Sequence, residues 1–194
     1  RVLARAGLSA NAVTVIGLRL AAVSAYGFLR GDRLVAFCFL LASGLADLLD
    51  GAVARARGKG GTPFGAAFDS TLDRYGEGLV LGGILVGLVA RGAAPWLIGL
   101  ALTAGIGSFL VSYVRARAEG LGLTCEVGIL ERPERLVLLL VLALWGPAGE
   151  PWILGLLALL THVTFVQRLV HVHRTTTGRT RREPAREESR ERAV

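Results

Sequence analysis

Six apolar runs, at about 12–30, 34–54, 68–90, 95–116, 135–149 and 151–172, follow one another along this chain, and short segments between them carry much of its charge. A helix that crosses a bilayer needs about 20 mostly apolar residues, and only the fifth run is clearly short of that. The runs contain no sustained alternation of apolar and polar residues, which a membrane barrel would require in segments of roughly 10. At 53% hydrophobic residues and a mean hydropathy of +0.54 the chain is also too apolar for one soluble core. With 19% charged residues, disorder over most of the length is excluded as well. The expectation is an all-α integral membrane protein with six transmembrane helices over residues 1–172. Residues 173–194, with seven arginines and four glutamates and no apolar periodicity, are expected to be a solvated, disordered tail drawn to anionic headgroups.

The distribution of arginine sets the orientation. Arg1, Arg5, Arg55, Arg57, Lys59, Arg115, Arg117, Arg132, Arg135, Arg168 and Arg174 fall at one set of helix ends, against Arg30, Arg33 and Arg91 at the other. The richer side is expected to face the cytoplasm, which puts both termini and a polar cavity there. The net charge of +7 does not point to nucleic acid, because the basic residues punctuate apolar runs instead of clustering with aromatics. Anionic lipid or phosphate is the expected partner. Cys38 and Cys125 stand in unlike surroundings and suggest neither a disulfide framework nor redox chemistry. Arg1 as first residue, with no methionine anywhere, suggests that the natural start lies upstream.

Small residues at helical spacing, Gly78/Gly82, Gly83/Gly87 and Gly105/Ser108/Ser112, are read as helix-packing positions. Arg19 is expected to pair with a nearby aspartate, and His162 to make a packing hydrogen bond. His171 and His173 are read as interfacial, and Trp96, Trp145 and Trp152 as an aromatic belt.

The chemistry concentrates in two helices. Asp47 and Asp50 are spaced i,i+3 on the second, and Asp69 and Asp73 are spaced i,i+4 on the third, so each pair shares one face. An aspartate at mid-bilayer costs roughly 2.5–3.5 kcal/mol, so four of them require compensation. Oxygen donors without histidine or cysteine suit Mg²⁺, Mn²⁺ or Ca²⁺, and two such ions bridged by carboxylates are a recurring clamp for phosphoryl transfer. Gly51 and Ala54 leave room beside the carboxylates. Gly65, at the opening of the third helix, offers amides to a phosphate. An interfacial salt-bridge network with Arg55, Arg57, Lys59 and Arg74 is the structural alternative. A cation channel or proton relay is another, but it lacks polar residues through the other half of the bilayer.

These residues spell D-x-x-D-G-x-x-A-R, a spacer, then G-x-x-x-D-x-x-x-D, with every fixed position filled by Asp47, Asp50, Gly51, Ala54, Arg55, Gly65, Asp69 and Asp73. The pattern resembles the signature of the CDP-alcohol phosphatidyltransferases. The spacer between Arg55 and Gly65 has nine residues where about eight are usual, and Ala10 stands where the family usually has proline. The resemblance runs from Gly7 to about His173. It implies a six-helix homodimer in the cell membrane with a cytoplasm-facing cavity. Two Mg²⁺ or Mn²⁺ ions would be bound by the four aspartates, and Asp47, Gly51, Ala54, Arg55, Gly65 and Asp69 would shape a CDP pocket. Asp73 would also be the base for the acceptor hydroxyl, with CMP as leaving group.

The acceptor turns on a second basic set, Arg115, Arg132, Arg135 and Arg168, on the same side as the aspartates. Arginine forks suit phosphate, while positive-inside topology with local pairs accounts for them equally well. The segments 68–75, 112–119 and 129–136 resemble the branch that makes inositol-phosphate phospholipids. That implies transfer of a phosphatidyl-type group from a CDP-lipid, CDP-diacylglycerol or an ether analogue, to inositol phosphate, a small phosphorylated alcohol. Glycerol 3-phosphate as acceptor, CDP-inositol as donor and a cation-binding transporter remain the alternatives.

Overall fold

The computed structural model describes residues 9–56 and 62–191, with side chains placed over 9–49 and 62–177. Among the described residues the regular structure is entirely helical: α1 (Ala10–Arg30), α2 (Arg33–Ala56), α3 (Pro63–Ala90), α4 (Pro95–Gly120), α5 (Arg132–Trp145) and α6 (Glu150–Glu191), with a 3₁₀ turn at Gly146–Ala148.

The helix limits follow local chemistry. The Ser9 hydroxyl accepts the Ala12 N–H at 3.1 Å and opens α1. Gly31, at φ +73°, closes it in the left-handed conformation that glycine adopts without penalty. One residue on, the Asp32 carboxylate accepts the Val35 N–H at 3.1 Å and starts α2. Thr62 caps α3, with Pro63 at the first helical position, so this helix begins five residues ahead of the apolar run at 68. α5 begins at Arg132 and stops at Trp145, before the expected 149, because Gly146 turns the chain at φ +69°. Its 14 residues reach only about 21 Å at 1.5 Å per residue.

Among the described residues three helical segments, Ala10–Arg30, Pro95–Gly120 and Glu150–Thr177, are long and apolar enough to cross a membrane. The aspartate-bearing α2 and α3 are 24 and 28 residues long.

α1 packs mainly on α2 and α3, α4 packs mainly on α6, and α5 bridges α2 to α6. The order of the contacts gives the directions: Gly17 lies beside Ala46 and Gly27 beside Ala36, so α1 and α2 are antiparallel. Gly76, Gly83 and Gly87 meet Ala21, Ala25 and Phe28 in turn, so α1 and α3 run the same way. In the same manner Gly155 meets Leu100, and Gly107 meets Thr161. Leu88, Leu154 and Leu157 are fully buried at the centre, with Leu139 and Leu142 of α5 beside them.

Helices approach closely in lipid where side chains are small. A Cβ on Gly83 would collide with the Ala25 backbone, and one on Gly87 would stand 2.7 Å from the Phe28 oxygen, so this pair does set the α1–α3 crossing. The Gly78/Gly82 pair and Gly105 do not pack as the sequence suggested. They meet nothing within 4 Å and line a groove of about 390 Å³ between α3 and α4.

The α6 backbone is helical to Glu191. The Thr175, Thr176 and Thr177 hydroxyls bond back to the carbonyls of His171, Val172 and His173.

Candidate active site

The crossing of α1 by α2 is fixed by the Ser43 hydroxyl, which donates to the Gly17 carbonyl at 2.9 Å. This sets Asp47, one turn further along α2, next to Asp73 of α3. The two carboxylates converge on one guanidinium: Arg132 Nη1 donates to Asp73 Oδ2 at 2.5 Å, and Nη2 pairs with Asp47 Oδ2. Arg74 Nη1 is 3.7 Å from the same Asp73 oxygen. The Asp73 side chain is 8% exposed, the Asp47 side chain 25% and the Arg132 side chain 39%, which grades the cluster from interior to mouth. Asp69 is half-buried and near enough for its charge to act on both Asp47 and Asp73.

The side chains of Asp50, Gly51, Ala54 and Arg55 lie outside the described residues, as do Arg57 and Lys59. Among the described residues no three acidic, histidine or cysteine groups already surround one point. Even so, the donor chemistry fits a hard divalent cation. Asp47 and Asp73 turn oxygens toward one positive group, Asp69 adds a third carboxylate, and no nitrogen or sulfur ligand accompanies them.

At the N-terminus of α3 the Gly65 N–H donates to Thr62 Oγ1 at 3.0 Å, with Asn11 Oδ1 also beside Gly65. The amide that the sequence reading offered to phosphate therefore serves as the helix cap in this structure. Arg19 is exposed and forms no ion pair with a described aspartate. The His162 Nδ1 lies 2.9 Å from the Ala158 carbonyl of its own helix.

A second row of charge lies deeper. Arg135 is buried and forks onto Glu77, with Nε to Oε1 at 2.6 Å and Nη2 to Oε2 at 3.1 Å. Arg168, also buried, donates from Nε to the Val127 carbonyl and from Nη1 to the Val111 carbonyl, both at 2.8 Å. Its Nη2 reaches Glu131 Oε1 at 3.5 Å. Arg115 pairs with Glu119 at 2.8 Å, one turn along α4. Arg115 and Arg135 are both close enough for their charges to act on Arg168, so these three arginines share one region. Arg132 stands apart from them on the carboxylate pair.

One participant, Glu77, and one pairing went unassigned in the sequence. Glu77 continues the Asp69/Asp73 stripe by another i+4 step, and a glutamate in an apolar helix was signal enough to ask for its partner. The clamp of Arg132 on Asp47 and Asp73 joins α5 to α2 and α3 across long separations, which no local spacing reveals.

A cavity of about 460 Å³ opens between α1, α2, α3 and α5. Asp47, Asp73 and Arg132 line it together with Leu18, Leu40 and Leu136, so a polar group and a hydrocarbon chain can occupy one continuous space.

The family model described as CDP-alcohol phosphatidyltransferase matches residues 8–170. An archaetidylinositol phosphate synthase of Methanothermobacter thermautotrophicus is 42% identical over 173 residues, which is 87% of this chain and 85% of the relative. A phosphatidylinositol phosphate synthase of Mycobacteroides abscessus is 38% identical over 91% of this chain and 82% of its own. Among solved structures, the phosphatidylinositol phosphate synthase of Mycobacterium tuberculosis with CDP-DAG bound superposes with a TM-score of 0.82 at 36% identity, covering 88% of this chain and 89% of that one. The same enzyme in complex with manganese and citrate gives 0.80 at 37% identity, covering 88% and 85%. In sequence and in fold alike, this chain belongs to the CDP-alcohol phosphatidyltransferase family, whose members are transferases.

Proposed function

We propose that this protein transfers a phosphatidyl-type group from a CDP-linked lipid to a hydroxyl of inositol phosphate and releases CMP. One observation carries the reading: paired aspartates converge on a single cationic group in a cavity lined mostly by apolar side chains, with buried arginines nearby. The relatives that make phosphatidylinositol phosphate and archaetidylinositol phosphate, and the relative holding CDP-DAG, support the same substrates here.

In the reaction, the acceptor oxygen bonds to the lipid-bearing phosphorus, the bond from that phosphorus to the bridging oxygen breaks, and CMP departs with the electron pair. Asp73 takes the hydroxyl proton. Its Oδ2 is held by Arg132, which leaves Oδ1 for that proton. Asp47, Asp50, Asp69 and Asp73 would hold two Mg²⁺ or Mn²⁺ ions, whose charge offsets that of the diphosphate and of the leaving group. Asp47, Gly51, Ala54, Arg55, Gly65 and Asp69 line the CDP side, and the leucines of the cavity take the lipid chains. Arg115, Arg135 and Arg168 bind the phosphate of the acceptor, with Arg132 between them and the carboxylates. The protein acts as a homodimer in the cell membrane with six spans, its termini and active site facing the cytoplasm.

The test is CMP release by purified protein in CDP-diacylglycerol liposomes with Mg²⁺ or Mn²⁺, offering inositol phosphate, free inositol or glycerol 3-phosphate. Release with inositol phosphate alone is expected. Release with glycerol 3-phosphate alone would overturn the acceptor, and no CMP release with any acceptor or with CDP-inositol would overturn the enzymatic reading in favour of ion transport.

A further inference from the structure

Glu77 has no place in the D-x-x-D-G-x-x-A-R and G-x-x-x-D-x-x-x-D pattern, yet it makes a two-bond ion pair in the interior. It follows Asp73 by one turn of α3, so Asp69, Asp73 and Glu77 lie along one face. Its side chain is 14% exposed and that of its partner Arg135 is 3%. A lone carboxylate or a lone guanidinium would be costly at this position, and the pair removes both costs only because its geometry is good.

The geometry does more than neutralise. A guanidinium has five N–H groups and two edges that can hold an oxyanion with two parallel bonds. Glu77 occupies the edge formed by Nε and Nη2. Nη1 makes a long contact of 3.5 Å to the Leu130 carbonyl. The remaining N–H groups of Nη1 and Nη2 form the second edge, and no described carboxylate occupies it. Arg135 is thus locked at one edge, while its other edge is held by no described carboxylate.

We propose that Glu77 is the positioning residue for the acceptor phosphate: by gripping one edge of Arg135 it fixes the direction in which the other edge receives a phosphomonoester. The inference rests on the acceptor reading above, in which Arg135 binds that phosphate. Glu77 lines the cavity beside Asp73 and Arg132 and does no proton transfer. It sets the recognition of the phosphate and leaves the chemistry at Asp73 unchanged. Arg74 and Glu77 are electrostatic neighbours, and Arg74 also touches Asp73, so the same face of α3 links the recognition end of the site to its reactive end.

The experiment compares Glu77→Gln, Glu77→Asp and the exchanged pair Glu77→Arg/Arg135→Glu with the parent protein in CDP-diacylglycerol liposomes. KM for inositol phosphate, KM for the CDP-lipid, kcat and the thermal midpoint in detergent are measured for each. Glu77→Gln keeps the shape but turns an amide toward Arg135, and is expected to raise KM for inositol phosphate at least tenfold. Its kcat should stay within about threefold, with KM for the CDP-lipid unchanged. Glu77→Asp, which can regain the fork by a small shift, is expected to restore most of the acceptor affinity. The exchanged pair is expected to recover thermal stability but not acceptor affinity, because it restores the bolt between α3 and α5 with the guanidinium on the wrong helix. An unchanged acceptor KM in Glu77→Gln, or full activity in the exchanged pair, would overturn the proposal and leave Glu77 a purely structural bolt. A parent protein that turns over with no phosphorylated acceptor would instead overturn the acceptor reading, so the two failures are distinguishable.

Discussion

Arg168 offers the sharpest test of how the basic end of the site is held. Its guanidinium joins three segments: its own helix α6, the Val111 carbonyl of α4 and the Val127 carbonyl of the loop before α5. Both of these bonds are 2.8 Å and the side chain is 3% exposed. A hydrogen bond from a charged donor contributes about 1.5–3 kcal/mol. Removing both by Arg168→Met should therefore cost about 3–6 kcal/mol, since the two carbonyls stay in place without their donor. At about 2–4 °C per kcal/mol for a chain of this size, the thermal midpoint should fall by at least about 6 °C. Arg168→Lys keeps the charge, but a single ammonium cannot reproduce a planar fork aimed at two separate carbonyls, so about half of that loss is expected. The protein carries its own reporter. Cys125 is 1% exposed, in the loop that Arg168 secures, and burial pushes its thiol up, so it should react with maleimide only when this region opens. With the exposed Cys38 replaced by serine, labelling against temperature in detergent micelles gives the midpoint. A midpoint for Arg168→Met within about 2 °C of the parent, against the ~6 °C fall expected from the energies above, would refute the view that this arginine clips α4, α6 and the loop together.

Three further outcomes follow from the geometry. Asp73→Asn should lower kcat for CMP release by at least about 10²-fold, the usual worth of a positioned base, while the thermal midpoint shows the helices intact; unimpaired turnover would remove its role as base. Gly83→Ala should destabilise the protein by about 1–3 kcal/mol, because the new methyl meets the Ala25 backbone, whereas Gly82→Ala, in open space, should be neutral or slightly stabilising; equal midpoints for the two variants would contradict the α1–α3 crossing described here. Chelation should abolish CMP release, with recovery on adding Mn²⁺ or Mg²⁺ but not Zn²⁺, as a set of carboxylate oxygens requires, and activity that survives exhaustive chelation would count against a metal at the four aspartates.

How much of this was legible in advance depends on the distance over which each feature is encoded. The register of Asp69 and Asp73 on one face, the break between the apolar runs at 30 and 34 and the helical class are local. Helical period and turn chemistry state them within a few residues, and the structure has them where the sequence put them. The glycines mark the limit of that logic. Gly78/Gly82 and Gly83/Gly87 have the same i,i+4 spacing on the same helix, but only the second pair faces α1, because one residue turns a helix by about 100° and the crossing partner decides which stripe is used. The arginines mark it again. Arg132 and Arg135 are three residues apart, and the sequence reading grouped them in one basic set, whereas in the fold Arg132 clamps Asp47 and Asp73 and Arg135 forks onto Glu77. These are tertiary pairings across 58 or more residues, and the two helices pair in register: Asp73 meets Arg132, and about one turn further along each helix Glu77 meets Arg135. The need for the second pairing was available from the sequence. Glu77 is one turn further into the helix than Asp73, and an acid in an apolar helix requires a cation that the signature motif does not supply, which makes Arg135 part of the site's architecture before any substrate arrives.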